Sequence, residues 1–244
     1  GDTAYDMNKR LDGDIFSKNP TVLMVTFGMN DSGYYEYNGD NAKEFGEQKY
    51  QESIKNFQQM EKRFKELPHT RIVMTGTSPY DETAQIKDNT VFKKKNETIK
   101  RIIEYQRESA ARNGWEFTDW NAPMVAINQE LQQKDPSFTL CGNDRIHPDN
   151  DGHMVMAYLF LKAQGFAGKD VANMEINANK KQAVKAEGCT ISNIKKIGKD
   201  ISFDYLAEAL PYPLDTIARG WGSKKSQAEV IKEVPFMEEM NTEL

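Results

Sequence analysis

Two short stretches carry residue types that do acid–base chemistry at a useful spacing. Asp144-Arg145-Ile146-His147-Pro148 lies far downstream of Gly28-Met29-Asn30-Asp31, which directly follows the apolar run Val22-Leu23-Met24-Val25-Thr26-Phe27. An Asp three residues before a His can set its carboxylate on one imidazole nitrogen and leave the other free as a general base. An Asn just past a buried strand can aim its amide at a developing oxyanion. Base and oxyanion donor together make up most of a serine hydrolase site. The nucleophilic serine that they would serve, on an N-terminal strand and turn, is not in the sequence. Each stretch also has a plainer explanation: a turn in which Asp144 caps the backbone around His147, and an Asn of the kind common in turns after strands.

The elements around these residues alternate. Residues 4–18 carry Tyr5, Met7, Leu11, Ile15 and Phe16 at helical spacing, and Asn19-Pro20 stops that helix. Residues 21–27 are a near-continuous apolar run, as expected of a strand buried on both faces. A loop over 32–43 leads to a long helix at 44–66, then to a second buried strand at 71–76 that ends in Thr77-Ser78-Pro79-Tyr80. A helix at about 91–113 closes at Asn113-Gly114. A third strand spans 115–120, a helix runs from Pro123 to about Gln133, and an apolar helix at 154–162 follows the Asp144–His147 loop. Strands alternating with helices predict a parallel sheet with helices on both faces, an α/β/α sandwich in three layers.

The pattern changes near residue 172. Residues 174–177, 183–186, 190–194 and 201–205 alternate with period two, with turn-like Asn177-Ala178-Asn179-Lys180 and Gly198-Lys199-Asp200 between them. They predict a small antiparallel β appendage. A linker with Pro211, Pro213 and Gly220-Trp221-Gly222 leads to a charged helix at about 223–243. The expected division is an α/β domain at 1–170, the appendage at 171–210, and linker plus C-terminal helix at 211–244.

The two site stretches resemble signature blocks of the SGNH (GDSL-type) hydrolase family. Gly28-Met29-Asn30-Asp31 matches its Gly-x-Asn-Asp block, and Asp144-Arg145-Ile146-His147 its Asp-x-x-His block, with the customary Pro148 behind. Gly1-Asp2-Thr3 looks like the end of a third, a Ser-Gly-Asp-Thr turn whose glycine gives a backbone N–H to the oxyanion hole. Read as the family's nucleophile block instead, with Thr3 attacking, the same triplet lacks the apolar strand that should precede it. The resemblance covers about residues 1–165. It implies a flavodoxin-like parallel sheet, a serine ester hydrolase of the lipase/acylhydrolase kind that takes no cofactor, and a secreted or periplasmic protein. It implies Asp144 and His147 as catalytic residues and Gly1 and Asn30 as the oxyanion hole, with Asp31 bracing the loop. On this reading the chain is a fragment that lacks the first strand and the serine. The edge beside residues 22–28, where that strand belongs, is expected to be open or filled by a strand borrowed from elsewhere.

Tyr34 and Tyr35 follow the oxyanion loop, and Ser78 and Tyr80 close the next strand, where ligands gather in open α/β sheets. These four are the candidate pocket residues, and Arg219 and Trp221 could fold over them. Aromatic rings suit a sugar, so an O-acetylated carbohydrate is one expected substrate. A competing reading is a module without catalysis that keeps the pocket to bind a ligand or carbohydrate.

Composition narrows the partners. A net charge of −5 over 244 residues argues against nucleic acid. Lys93-Lys94-Lys95 opens a helical pattern and reads as a solvated face. No apolar run approaches the ~20 residues of a membrane span. Cys141 and Cys189 read as two buried or half-buried thiols rather than a disulfide. Asp144, His147, Asp149 and His153 do not read as a metal site, because two histidines six apart share no helix face.

Overall fold

A computed structural model of the protein describes residues 1–87, 90–209, 215–217 and 226–230. Helix α1 (Ala4–Asp14) starts in a capping box, with the Thr3 hydroxyl accepting from Asp6 N–H and the Asp6 carboxylate accepting from Thr3 N–H. A short 3₁₀ turn, Phe16–Lys18, closes at Asn19 in the left-handed region. The chain then enters β1 (Val22–Phe27), α2 (Ala42–Phe64), β2 (Arg71–Gly76), α3 (Lys95–Asn113), β3 (Glu116–Asp119), α4 (Asn121–Leu131) and α5 (Asn150–Ala163). The three strands form a parallel sheet in the order β1-β2-β3, with Val22 opposite Arg71, Phe27 opposite Gly76, and Gly76 opposite Asp119. Their carboxyl ends therefore lie side by side, and the loops that follow them share one end of the sheet.

Helices flank the sheet. One core joins Ala4 and Leu11 of α1, Phe57, Met60 and Phe64 of α2, and Ile102 and Ala110 of α3 to Leu23, Val25 and Phe27 of β1 and Ile72 and Met74 of β2. A second core joins Met124, Ile127 and Leu131 of α4 to Met154, Val155 and Tyr158 of α5. Trp120, at the end of β3, belongs to it and donates its indole N–H to Met156 O at 3.0 Å. Of the residues at helical spacing in 4–18, Leu11 is buried in the first core and Met7, Ile15 and Phe16 pack partly buried against it, while Tyr5 is 51% exposed.

β2 is buried along nearly its whole length, but β1 is not. Leu23, Val25 and Phe27 point into the core, while Val22 and Met24 are 49% and 48% exposed. The expectation of a strand buried on both faces is corrected here. Apolar residues in succession do not say how many faces are covered, and among the described residues β1 pairs with β2 alone. Its other edge carries no strand among those residues.

The C-terminal strands form two antiparallel hairpins. β4 (Asn173–Asn177) pairs with β5 (Gln182–Glu187), and β6 (Cys189–Ile197) pairs with β7 (Asp200–Ala207). The turns fall where the sequence placed them, with Asn177 Oδ1 accepting from Asn179 N–H at 3.1 Å and Lys180 N–H at 3.0 Å. Pro211, Pro213, Arg219, Gly220, Trp221 and Gly222 lie outside the described residues, as does most of the helix expected at 223–243. The part described there is a short helix, Gln227–Val230.

An open strand edge with exposed apolar side chains pairs readily with another chain. Met24→Lys puts a charge at the exposed face of β1 without touching the core. The variant is expected to associate less than the wild-type chain in light scattering at matched concentration, with an unchanged far-ultraviolet circular dichroism spectrum.

Candidate active site

The loop after β1 is held by a carboxylate. Asp31 is buried, and its Oδ1 accepts from Ala4 N–H at 2.9 Å and from the Ser53 hydroxyl at 3.0 Å, while Oδ2 accepts from Gly28 N–H at 3.1 Å. Burial raises its pKa, and these three donors offset part of the rise. Asn30, one residue earlier, is thereby fixed at the sheet end. Its Oδ1 accepts the Tyr34 hydroxyl, and its Nδ2 lies 3.3 Å from Asp2 O. The Tyr34 hydroxyl on Oδ1 fixes which end of the amide carries the N–H₂, and of its two hydrogens one goes to Asp2 O and one is left over. Gly1 packs against that same nitrogen: a Cβ on Gly1 would stand 2.3 Å from Asn30 Nδ2. Glycine is the residue that fits, and the two candidate oxyanion donors meet there.

The second loop is built around Asp144. Its Oδ1 accepts from Ile146 N–H and His147 N–H, both at 3.0 Å, which folds the backbone into a turn. Its Oδ2 lies 2.6 Å from His147 Nδ1. A carboxylate at Nδ1 places the ring proton there and leaves the lone pair on Nε2. The His147 side chain is 74% exposed, so that lone pair is accessible. Burial alone would raise the Asp144 pKa, but the His147 ring and the two backbone N–H groups outweigh it and hold the carboxyl below the usual range. The N-cap of α5 is Asp149, not Asp144, so Asp144 serves the turn and the imidazole.

Two residues that sequence reasoning passed over hold this turn. Arg145 is only 2% exposed and has φ 68°, and its guanidinium donates to Asp81 O at 3.1 Å and Ala84 O at 2.8 Å. Its own carbonyl accepts from Asp81 N–H at 3.1 Å. Gly142, at φ 68°, packs under the turn, where a Cβ would stand 2.3 Å from His147 O. Neither has a sequence signal, since Arg145 falls at a free position of its block. Cys141 is fully buried and donates to Pro79 O at 3.2 Å, and burial pushes its thiol pKa up. Cys141 and Cys189 are both free thiols.

The two loops meet through Tyr34. Burial, then the carboxylates of Asp144 and Asp31, push its phenol up to about 12, so it stays a hydrogen-bond donor to Asn30. Ile146, Met29 and Tyr34 pack against one cluster formed by Tyr37, Tyr80, Phe92, Ile99 and Ile103.

The four candidate pocket residues separate. Tyr34 is half-buried at the site, whereas Tyr35 is 79% exposed with its ring edge on Phe92. Ser78 is buried. Tyr80 is buried and stacked on Phe92, and its hydroxyl accepts from Phe92 N–H at 2.9 Å. Tyr80 also borders a cavity of ≈ 180 Å³ with Asp81, Glu82, Asn96 and Asn128. A separate cavity of ≈ 330 Å³ lies against Asn30, lined also by Thr3, Tyr5, Asp31 and Ser53. Thr3 has its hydroxyl on the Asp6 carboxylate at 2.7 Å. Arg219 and Trp221 lie outside the described residues.

Lys95 corrects the sequence reading of a solvated lysine run. Lys93 and Lys94 are exposed, but Lys95 is fully buried. It shares a helix face with Ile99, Ile102 and Gln106, all fully buried, because α3 begins at Lys95 and turns it inward. Ile99 four residues on and Ile102 seven residues on were the available signal.

The carboxylate–imidazole pair and the Asn30 amide lie in loops that meet at one end of the parallel sheet. The chain belongs to the GDSL-like lipase/acylhydrolase family, whose model matches residues 1–155. Among solved structures it is similar to Axe2, an acetylxylan esterase from Geobacillus stearothermophilus, at 21% identity over 68% of each chain with a TM-score of 0.51. A catalytic mutant of the same esterase matches at 19% identity over 68% of each chain, with a TM-score of 0.52. These likenesses show a shared fold. No curated protein matches the chain.

The pair at Asp144 makes a pH prediction. Its folded pKa lies below the ordinary value of 3.8, so its contribution to stability is present above that value and is lost as pH falls through the folded pKa. Asp144→Asn is expected to lower the urea midpoint near neutral pH. The gap between variant and wild type should close as pH falls below about 4. A gap that stays constant down to pH 2 would contradict the assignment.

Proposed function

We propose that these residues belong to a serine-type carboxylic ester hydrolase acting on O-acetylated carbohydrate. The Asp144–His147 contact carries the reading, because it holds Nδ1 and leaves Nε2 as the nitrogen of an exposed ring that is open to serve as general base. The attacking serine is proposed to come from outside residues 1–244. Thr3, which lines the cavity beside Asn30, has its hydroxyl engaged as the cap of α1.

In this mechanism His147 Nε2 takes the serine proton as the serine oxygen adds to the ester carbonyl. The resulting oxyanion is met by Asn30 Nδ2–H and by the N–H of Gly1 in its peptide form. His147 then gives the proton to the departing sugar oxygen as its bond to the acyl carbon breaks, which frees the sugar hydroxyl and leaves an acetyl-enzyme. Water repeats the sequence, with His147 again as base, and releases acetate. Asp144 fixes the ring orientation and stabilises the imidazolium. The carbohydrate class is supported by the open position of His147, by the exposed ring of Tyr35, and by the acetylxylan esterases among the structural neighbours.

In the full-length protein, His147→Ala should abolish p-nitrophenyl acetate turnover, and Asn30→Ala should cost on the order of 10²–10³ in kcat. Residues 1–244 alone should show no turnover above that of His147→Ala. Turnover by residues 1–244 that Thr3→Ala abolishes would make Thr3 the nucleophile. Retention of acetylated xylo-oligosaccharide by the full-length protein without acetate release would favour a binding module.

A further inference from the structure

Lys95 is a charged side chain in two unfavourable places at once. It is fully buried, and it opens α3, where the positive end of the helix dipole repels a cation. The helix start is tethered from another segment: Glu82 accepts from Lys94 N–H and from Asn96 N–H, both at 2.8 Å. Three acceptors take up the ammonium: Met29 O at 2.6 Å, Ser32 Oγ at 2.6 Å and Gly33 O at 2.5 Å. All three belong to the loop that carries Asn30. The ammonium also lies 3.8 Å from the centre of the Tyr34 ring, whose hydroxyl holds Asn30 Oδ1. The loop is thus gripped from both sides of Asn30, and the cation also faces the ring that orients the amide.

We propose that Lys95 is a positioning residue that fastens the Asn30 loop to the start of α3 and so sets the aim of the Asn30 amide. This deepens the esterase reading and rests on it for its catalytic consequence. The groups facing the ammonium are the carboxylates of Asp31 and Glu82 and the phenols of Tyr34 and Tyr80. Tyr37 sits beyond Ser32 with its hydroxyl on Ser32 O, and Asp144 sits beyond Tyr34. No carboxylate is within hydrogen-bonding contact of Lys95 Nζ among the described residues, so burial dominates and pulls its pKa down to about 7 from 10.5. Any opening of the loop that wets Lys95 restores the higher value and takes up a proton. Below about pH 7 the closed loop holds a buried ammonium, which burial disfavours, so opening is easiest there. As pH rises towards 10.5 the closed form holds the neutral amine, whose two N–H donors still reach the loop, and closure strengthens.

Amide hydrogen exchange on residues 1–244 tests the clamp without any need for activity. The reporters are the N–H groups of Ser32, bonded to Gly28 O, and Gly33, bonded to Asn30 O. After correction for intrinsic exchange, their protection in the wild-type chain should rise about tenfold between pH 6.5 and 8.5. In Lys95→Met that rise should vanish, while amides of β2 keep their wild-type protection. Protection that is flat with pH in the wild type, or that rises equally in Lys95→Met, overturns the proposal. If Lys95→Met does not fold, Lys95→Gln, which keeps a donor but cannot titrate, carries the same comparison. In the full-length protein, Lys95→Met should lower kcat for p-nitrophenyl acetate by about tenfold or more with KM little changed. An unchanged kcat overturns the positioning role. If the full-length wild type hydrolyses no ester at all, the esterase reading falls, and the exchange experiment still decides whether Lys95 clamps the loop.

Discussion

Asp31 sits buried where α1, the end of β1 and α2 meet, and its two oxygens accept from Ala4, Gly28 and Ser53. A carboxylate so placed would rather be neutral, and the three donors aimed at it are what make the burial tolerable. The arrangement does more than satisfy a charge. It joins the start of one helix, the exit of a strand and the side of a second helix at one point. Asn30 is the adjacent residue, so it has little freedom once Asp31 is seated. Tyr34 and Gly1 then settle which way its amide faces.

The other half of the site follows the same logic with the roles divided inside one side chain. One oxygen of Asp144 shapes the backbone turn and the other holds the imidazole. Because a single carboxylate does both, the position of the ring is tied to the shape of the loop. Arg145 anchors that loop to the segment after β2 through two carbonyls, and Gly142 lets the backbone come close beneath His147. The neighbouring thiol of Cys141 is buried, and with its pKa raised it is a packing group rather than a nucleophile.

The fold supplies the meeting place. Parallel strands end at one side of the sheet, so the loops after β1 and β2 emerge together, and the helices that flank the sheet fix the strands that carry them. The GDSL-like family match spans this part of the chain and stops within α5, before the two hairpins. The hairpins are built on local pairing.

Contiguous chemistry was legible in the sequence. The Asp144–His147 contact spans three residues and needs only a turn, and the Asn30 block is a strand end followed by polar residues. The alternation of strands and helices was legible because periodicity reports which side of an element is apolar. What the sequence could not settle was decided by neighbours distant along the chain. The apolar run of β1 gave no sign that one of its faces stays half-exposed, because coverage depends on what packs there. Tyr34 and Tyr35 are adjacent and chemically identical, yet one bonds Asn30 and the other faces solvent. Lys95 and Arg145 look like surface charges in the sequence and are buried in the structure. Their places were set by tertiary structure alone, because a buried cation is stable only where several carbonyl or hydroxyl oxygens converge, and these come from residues more than sixty positions away.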